Sequence, residues 1–258
     1  MARGVILTAL SINLNKIALI RNSRDTEYPS VALHAARCIA AGANGITVHP
    51  RPDQRHIRAD DCYELAGMLN VEFNIEGNPF APATKSDRNG VSDYPGFMEI
   101  VRLTKPAQCT LVPDTDSQLT SDHGFDLRKD GDRIAPIIAE LQGLGVRVSL
   151  FMDPDPAQIH LAKSVGADRI ELYTGPYASN FGTPEQETAL TQFISASETA
   201  AELGLGLNAG HDLNLHNLFL FRNSVRNLLE VSIGHAFIVD AIEMGLENSI
   251  KAYLKCLR

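Results

Sequence analysis

Four apolar runs in this 258-residue sequence each close on a side chain that can take or give a proton. GITVHPR ends on His49 and Arg51, VEFNIEG on Glu76, GLNAGHD on His211, and EVSIGHA on His235. An imidazole exchanges its proton near neutral pH. A carboxyl at the end of an apolar alternation is partly desolvated, which raises its pKa and suits a general base. In HPRPDQRHI, His49, Arg51 and His56 leave one strand end together, and the Arg51 guanidinium offers a planar fork to phosphate oxygens. Glu171, in RIELYTG, could face a positive charge that develops on a substrate. Each position has a structural reading as well: Glu76 could bridge to a neighbouring strand, and Glu171 could be a paired core carboxylate.

The elements that must position these groups alternate. Strand-like segments lie at 4–12, 45–49, 71–76, 108–112, 146–151, 169–173, 205–209 and 229–233, with helical patterns at 29–42, 60–69, 95–104, 132–143, 156–165, 184–203, 214–222 and 238–256. Eight of each predicts an α/β fold of the (β/α)₈ TIM-barrel type, one domain over residues 1–258. In that fold the carboxyl ends of the strands share one mouth, so the four chemical groups would meet there. Gly42, Gly145, Gly166 and Gly204 mark helix ends, and Asp155-Pro156 and Thr183-Pro184 mark helix starts. Two connections are long: residues 77–96 after the third strand and 113–132 after the fourth, the second suited to a lid.

Loops after the seventh and eighth strands commonly cradle phosphate with backbone N–H groups, which gives Gly234 and His235 a binding role. As the first strand leaves the barrel, SINLNKIALIRNSR supplies Asn13, Asn15, Lys16, Arg21 and Arg24, with Arg24 as a second phosphate clamp. A net charge of -8 argues against nucleic acid. No run of 18 apolar residues predicts a membrane span, and the amino terminus reads as a strand instead of a signal peptide. Cys38, Cys62, Cys109 and Cys256 form no CxxC pair, which fits reduced thiols and a cytoplasmic setting.

Together SINLNKIALIRNSR, AGANGITVHPRPDQRHI, FNIEG, TKPAQCTLVPD, VSLFMD, ELYTGPYA, LGLNAGHDLNLHN and SIGHA resemble the pyridoxine 5'-phosphate synthase family over almost the whole chain. The resemblance implies a (β/α)₈ barrel that joins 1-deoxy-D-xylulose 5-phosphate to 3-amino-2-oxopropyl phosphate, with no metal or organic cofactor, in a homo-oligomer of eight chains. It implies that His49 and Glu76 are proton acceptors, His211 the proton donor and Glu171 a transition-state stabiliser. Arg51, His56 and Thr120 would hold the deoxyxylulose phosphate; Asn13, Arg24, Gly234 and His235 would hold the amino-ketone phosphate. Which of His49 and Glu76 takes which proton stays open. This chain departs from the family pattern at Asn15-Lys16, where many members carry Asp-His, at Asp212, where many carry Gly, and in a longer segment at about 77–95. Two other readings remain: a metal-dependent barrel enzyme with His49, Glu76, His211 and His235 as ligands, and a non-catalytic barrel that binds a phosphorylated metabolite.

Overall fold

Most strands of this chain alternate apolar residues with polar or small ones, and the barrel sorts them to its two sides. The computed structural model describes residues 7–24, 26–115 and 118–258. Residues 4–6 of the first expected strand lie outside them. The strands are β1 (Ala9–Asn13), β2 (Gly45–Val48), β3 (Glu72–Gly77), β4 (Gln108–Leu111), β5 (Arg147–Met152), β6 (Arg169–Leu172), β7 (Gly206–Ala209) and β8 (Leu228–Ile233). They pair in parallel in chain order, and β8 closes on β1 through the register Ser11↔Ser232. The barrel expected from alternation is present.

Leu10, Ile12, Ile46, Val48, Phe73, Ile75, Val148, Leu150, Ile170, Leu172, Val231 and Ile233 are all buried against the surrounding helices. Each such side chain contributes about 1.5–3 kcal/mol by leaving water. The alternate positions turn into the barrel and carry polar groups. Asn208 on β7 donates to the Gln108 Oε1 on β4 across the lumen at 3.3 Å, and Thr110 donates to Asn74 Oδ1 at 3.1 Å. Ser11 and Thr47 hydroxyls are 2.7 Å apart, and Arg169 lies 3.5 Å from Glu230. The common apolar filling of such barrels is here largely replaced by polar groups, joined in part by these hydrogen bonds.

The helices are α1 (Asn15–Asn22), α2 (Val31–Ala40), α3 (Ala59–Met68), α4 (Phe97–Thr104), α5 (Leu127–Gly143), α6 (Pro156–Ser164), α7 (Gly175–Asn180), α8 (Gln186–Glu202), α9 (Leu218–Ser224), α10 (His235–Met244) and α11 (Leu246–Cys256). The pattern read as one helix at 238–256 is two, because Gly245 takes φ +85° and turns the chain between them. The four predicted helix-ending glycines all have positive φ. Asp155 caps α6, accepting from Ala157 N at 2.9 Å. Thr183-Pro184 does not begin α8: Thr183 accepts from Glu185 N instead, and the helix starts at Gln186.

The long segment after β3 is held on the barrel. Thr84 and Tyr94 form an antiparallel bridge, Tyr94 is buried, and Gln54 donates to Ser92 O at 2.7 Å. All four cysteines are free thiols, and no helix among the described residues is long and apolar enough to cross a membrane.

Candidate active site

At the carboxyl mouth, His49 lies between two carboxyl groups. Its Nδ1 is 3.8 Å from Glu76 Oε2, and its Nε2 is 3.5 Å from Asp114 Oδ2. Strand β2 ends one residue before His49, and β3 carries Glu76 in register beside Thr110. Asn15, the first residue of α1, accepts from the His49 N–H at 2.9 Å and so fixes the turn that presents the ring. Asn13 Nδ2 and Asn74 Nδ2 approach the two Glu76 oxygens at 3.4 Å each.

Burial sets the proton affinities here. His49 is pushed down to about 3, first by burial and then by the charges of Arg51, Arg55 and His211. Its imidazole is therefore neutral at any physiological pH. Burial, and then the neighbouring Glu171, Glu230 and Asp114, hold the Glu76 carboxyl well above the ordinary range. Glu171 on β6 is raised by the same cause, with Glu230 next.

Arg51 pairs with the Asp114 carboxylate, and its Nη1 donates to Gln118 O at 3.0 Å. Ser121 donates to Asp114 Oδ2 at 2.9 Å. Thus the segment after β4 is drawn across the mouth onto Arg51. His56 is buried near His49, their ring centroids 6.3 Å apart, and its Nδ1 accepts from Ile57 N at 2.9 Å.

His211 follows β7 and faces the same segment: Thr120 Oγ1 is 2.9 Å from its Nε2. The Tyr173 and Phe151 rings meet it edge-on at 5.3 and 6.4 Å, and Thr174 donates to its carbonyl. Asp212 Oδ2 is 2.9 Å from His211 Nδ1. Thr120, at His211, is followed by Ser121, which donates to the Asp114 carboxylate 3.5 Å from His49, so the groups from β2, β3 and β7 share one mouth.

Gly234 precedes α10 at the end of β8, and a Cβ there would come within 3.1 Å of the Asn13 side chain. The helix start and its first residue, His235, thus border Asn13 with free N–H groups, a disposition suited to an anion. Lys16 is half-buried on α1, whereas Arg24 is exposed in the turn after it, with no side-chain contact to another site residue among those described. Arg21 is structural: it is buried, and its Nη2 donates to Asp61 Oδ2 at 2.9 Å. The described residues contain no group of three or more His, Cys, Asp or Glu side chains disposed to hold a metal ion.

Sequence reading missed Asp114. It stands three residues beyond β4, after Val112 and Pro113, so it does not close the apolar run as His49 does. Tyr173 and Phe151 were also missed, since aromatic residues on strands read as core.

The chain matches the family model described as "Pyridoxal phosphate biosynthesis protein PdxJ" over residues 10–258. It is 55% identical over 250 residues to the pyridoxine 5'-phosphate synthase of Xanthomonas campestris pv. campestris (strain B100), covering 96% of this chain and 95% of that one. It is 50% identical over 254 residues to the enzyme of the same name from Albidiferax ferrireducens, covering 97% of each. Among solved structures it is similar to the KGPDC of Streptococcus mutans, with TM-score 0.59, 10% identity and 97% of each chain covered. The phosphoribosyl anthranilate isomerase of Thermococcus kodakaraensis gives TM-score 0.56 at 14% identity, covering 97% of this chain and 99% of that one. At those identities the structural likeness concerns the fold alone.

Proposed function

The chain belongs to the PdxJ family and is an enzyme of vitamin B6 biosynthesis, and from that premise we propose the chemistry of its site. It condenses 1-deoxy-D-xylulose 5-phosphate with 3-amino-2-oxopropyl phosphate to give pyridoxine 5'-phosphate, inorganic phosphate and water. These two small phosphorylated molecules are its proposed ligands, and the chain acts as a single catalytic unit within an assembly of identical copies.

The observation that carries this reading is the meeting of His49 with Glu76 at 3.8 Å, joined to His211 through Asp114, Ser121 and Thr120. Two anionic substrates repel, so separate cradles must hold amine against carbonyl, and that positioning can supply much of the rate. Arg51, His56 and Thr120 hold the deoxyxylulose phosphate, with Asn15 and Lys16 beside them. Asn13, Arg24, Gly234 and His235 hold the amino-ketone phosphate.

When amine adds to ketone, the resulting hydroxyl must leave. His211 gives a proton to that oxygen, the C–O pair departs with it as water, and the nitrogen lone pair forms C=N⁺. The cation lies against Glu76 and Glu171, whose carboxyls are held above the ordinary range by burial and by neighbouring carboxyl charge, so that a positive charge beside them favours their ionised form. Glu171 stabilises the cation as its proton affinity falls. Glu76 and His49 then accept the protons removed during phosphate elimination and ring closure. The segment carrying Thr120 shields the imine from water.

Glu76→Gln keeps the shape and loses the proton site. It should lower kcat by about 10²–10⁴-fold, while calorimetric affinity for deoxyxylulose phosphate stays close to that of the parent. Turnover equal to the parent's removes Glu76 from the proton path.

A further inference from the structure

The turn after β7 holds a residue that the proposed reaction has not yet used. Asp212 lies at φ +67°, in the left-handed region that a residue with a side chain seldom adopts and that glycine takes freely. Its own carbonyl is gripped twice, by Asn214 Nδ2 and by Asn217 Nδ2, each at 3.3 Å. Asn217 is itself buried and accepts from Asn214 N at 2.8 Å, so the turn is braced from within. The carboxylate is thereby aimed at one atom, the Nδ1 of His211, 2.9 Å away.

We infer that Asp212 is a positioning residue: it keeps a proton on Nδ1 of His211 and so directs Nε2, the other ring nitrogen, at the substrate. An ionised carboxylate can only accept, so the contact requires His211 Nδ1 to donate. The bond from His211, opposed by burial and aided by the charges of His211 and His235, holds the Asp212 carboxyl below its ordinary range. With Nδ1–H fixed, Nε2 of a neutral ring accepts the Thr120 hydroxyl, and a substrate oxygen can take the hydroxyl's place. When the ring is doubly protonated, Nε2–H gives its proton to the departing oxygen. Water leaves, and the imidazole returns to the neutral Nδ1–H form still bonded to Asp212. Tyr173 and Phe151 limit the tilt of the ring but cannot choose between its nitrogens. Asp212 makes that choice.

The inference rests on the assignment of His211 as the acid, and the test separates the two. Parent and Asp212→Gly are labelled with ¹⁵N-histidine, and the His211 signals are identified by their loss in His211→Gln. The parent's neutral ring should carry its proton on Nδ1; in Asp212→Gly the proton should move largely to Nε2. The same variant should lose at least about tenfold in kcat. Its KM values should move by less than about threefold, since neither proposed phosphate cradle includes this carboxylate. Its Tm should stay equal or rise, because glycine relieves the left-handed turn. Asp212→Asn, which keeps an acceptor oxygen, should fall between parent and Asp212→Gly in kcat. An unchanged tautomer in Asp212→Gly, or parental kcat in it, overturns the inference. Full turnover in His211→Gln would instead overturn the acid assignment, while the spectra would still report whether Asp212 governs the ring.

Discussion

Arg51, whose charge acts on the candidate proton acceptor His49, is already engaged. Arg51 holds Asp114 and the Gln118 carbonyl, so an incoming phosphate must share a guanidinium that has five donors to offer. Arg51→Ala should therefore raise KM for deoxyxylulose phosphate by about 10- to 100-fold, the range of one or two charge-assisted hydrogen bonds. KM for the amine should change little. Steady-state titration of each substrate at saturating levels of the other decides it; a shift confined to the amine would mean that the two phosphate cradles are reversed. At this scale much was legible, because His49, Glu76 and His211 announce themselves as polar ends of apolar runs. Asp114 did not, since VPD after β4 reads as an ordinary turn and its partner Arg51 is 63 residues away.

Among the elements, the segment between β4 and α5 is the one whose placement makes the mouth a closed site. Its contacts run to Arg51, His49 and His211, and it passes so close to β5 that a Cβ on Gly124 would lie 2.3 Å from Asp153 N. No side chain fits there without moving backbone. Gly124→Ala should cost about 1–3 kcal/mol, visible as a lower Tm, and should lower kcat by pulling Thr120 from His211; an unchanged Tm would show that the segment is not packed on β5. The strands themselves were readable from alternation and from glycines at helix ends. Helices α1 and α7 were not: they have eight and six residues, too short to establish a helical repeat beside the apolar runs around them. The break at Gly245 was hidden because apolar spacing continues on both sides of it.

For the molecule as a whole, the polar lumen has a thermodynamic consequence. Glu230 is held up at about 7, chiefly by burial, against 4.5 for an ordinary glutamate. The native state then binds more protons than the unfolded chain, so this stabilisation is complete below about pH 4.5 and is lost as pH rises through 7. His49, held down at about 3, acts in the opposite direction, and its contribution is lost as pH falls below 6.5. Tm should decline from about pH 6.5 to pH 8, above the range in which His49 offsets it, and Glu230→Gln, which can still accept from Arg169, should flatten that decline. Parallel Tm profiles would show that Glu230 does not titrate in this window. This feature lay beyond sequence reading: Asn208 and Gln108 meet across the lumen from positions 100 residues apart. The most direct test of the account gives the purified full chain both substrates, deoxyxylulose phosphate and the amino-ketone phosphate, in chelator-treated buffer. Pyridoxine 5'-phosphate, identified by mass and ultraviolet absorbance, should accumulate with one inorganic phosphate released per turnover. Recovery of both substrates unchanged from a chain that binds them would contradict it.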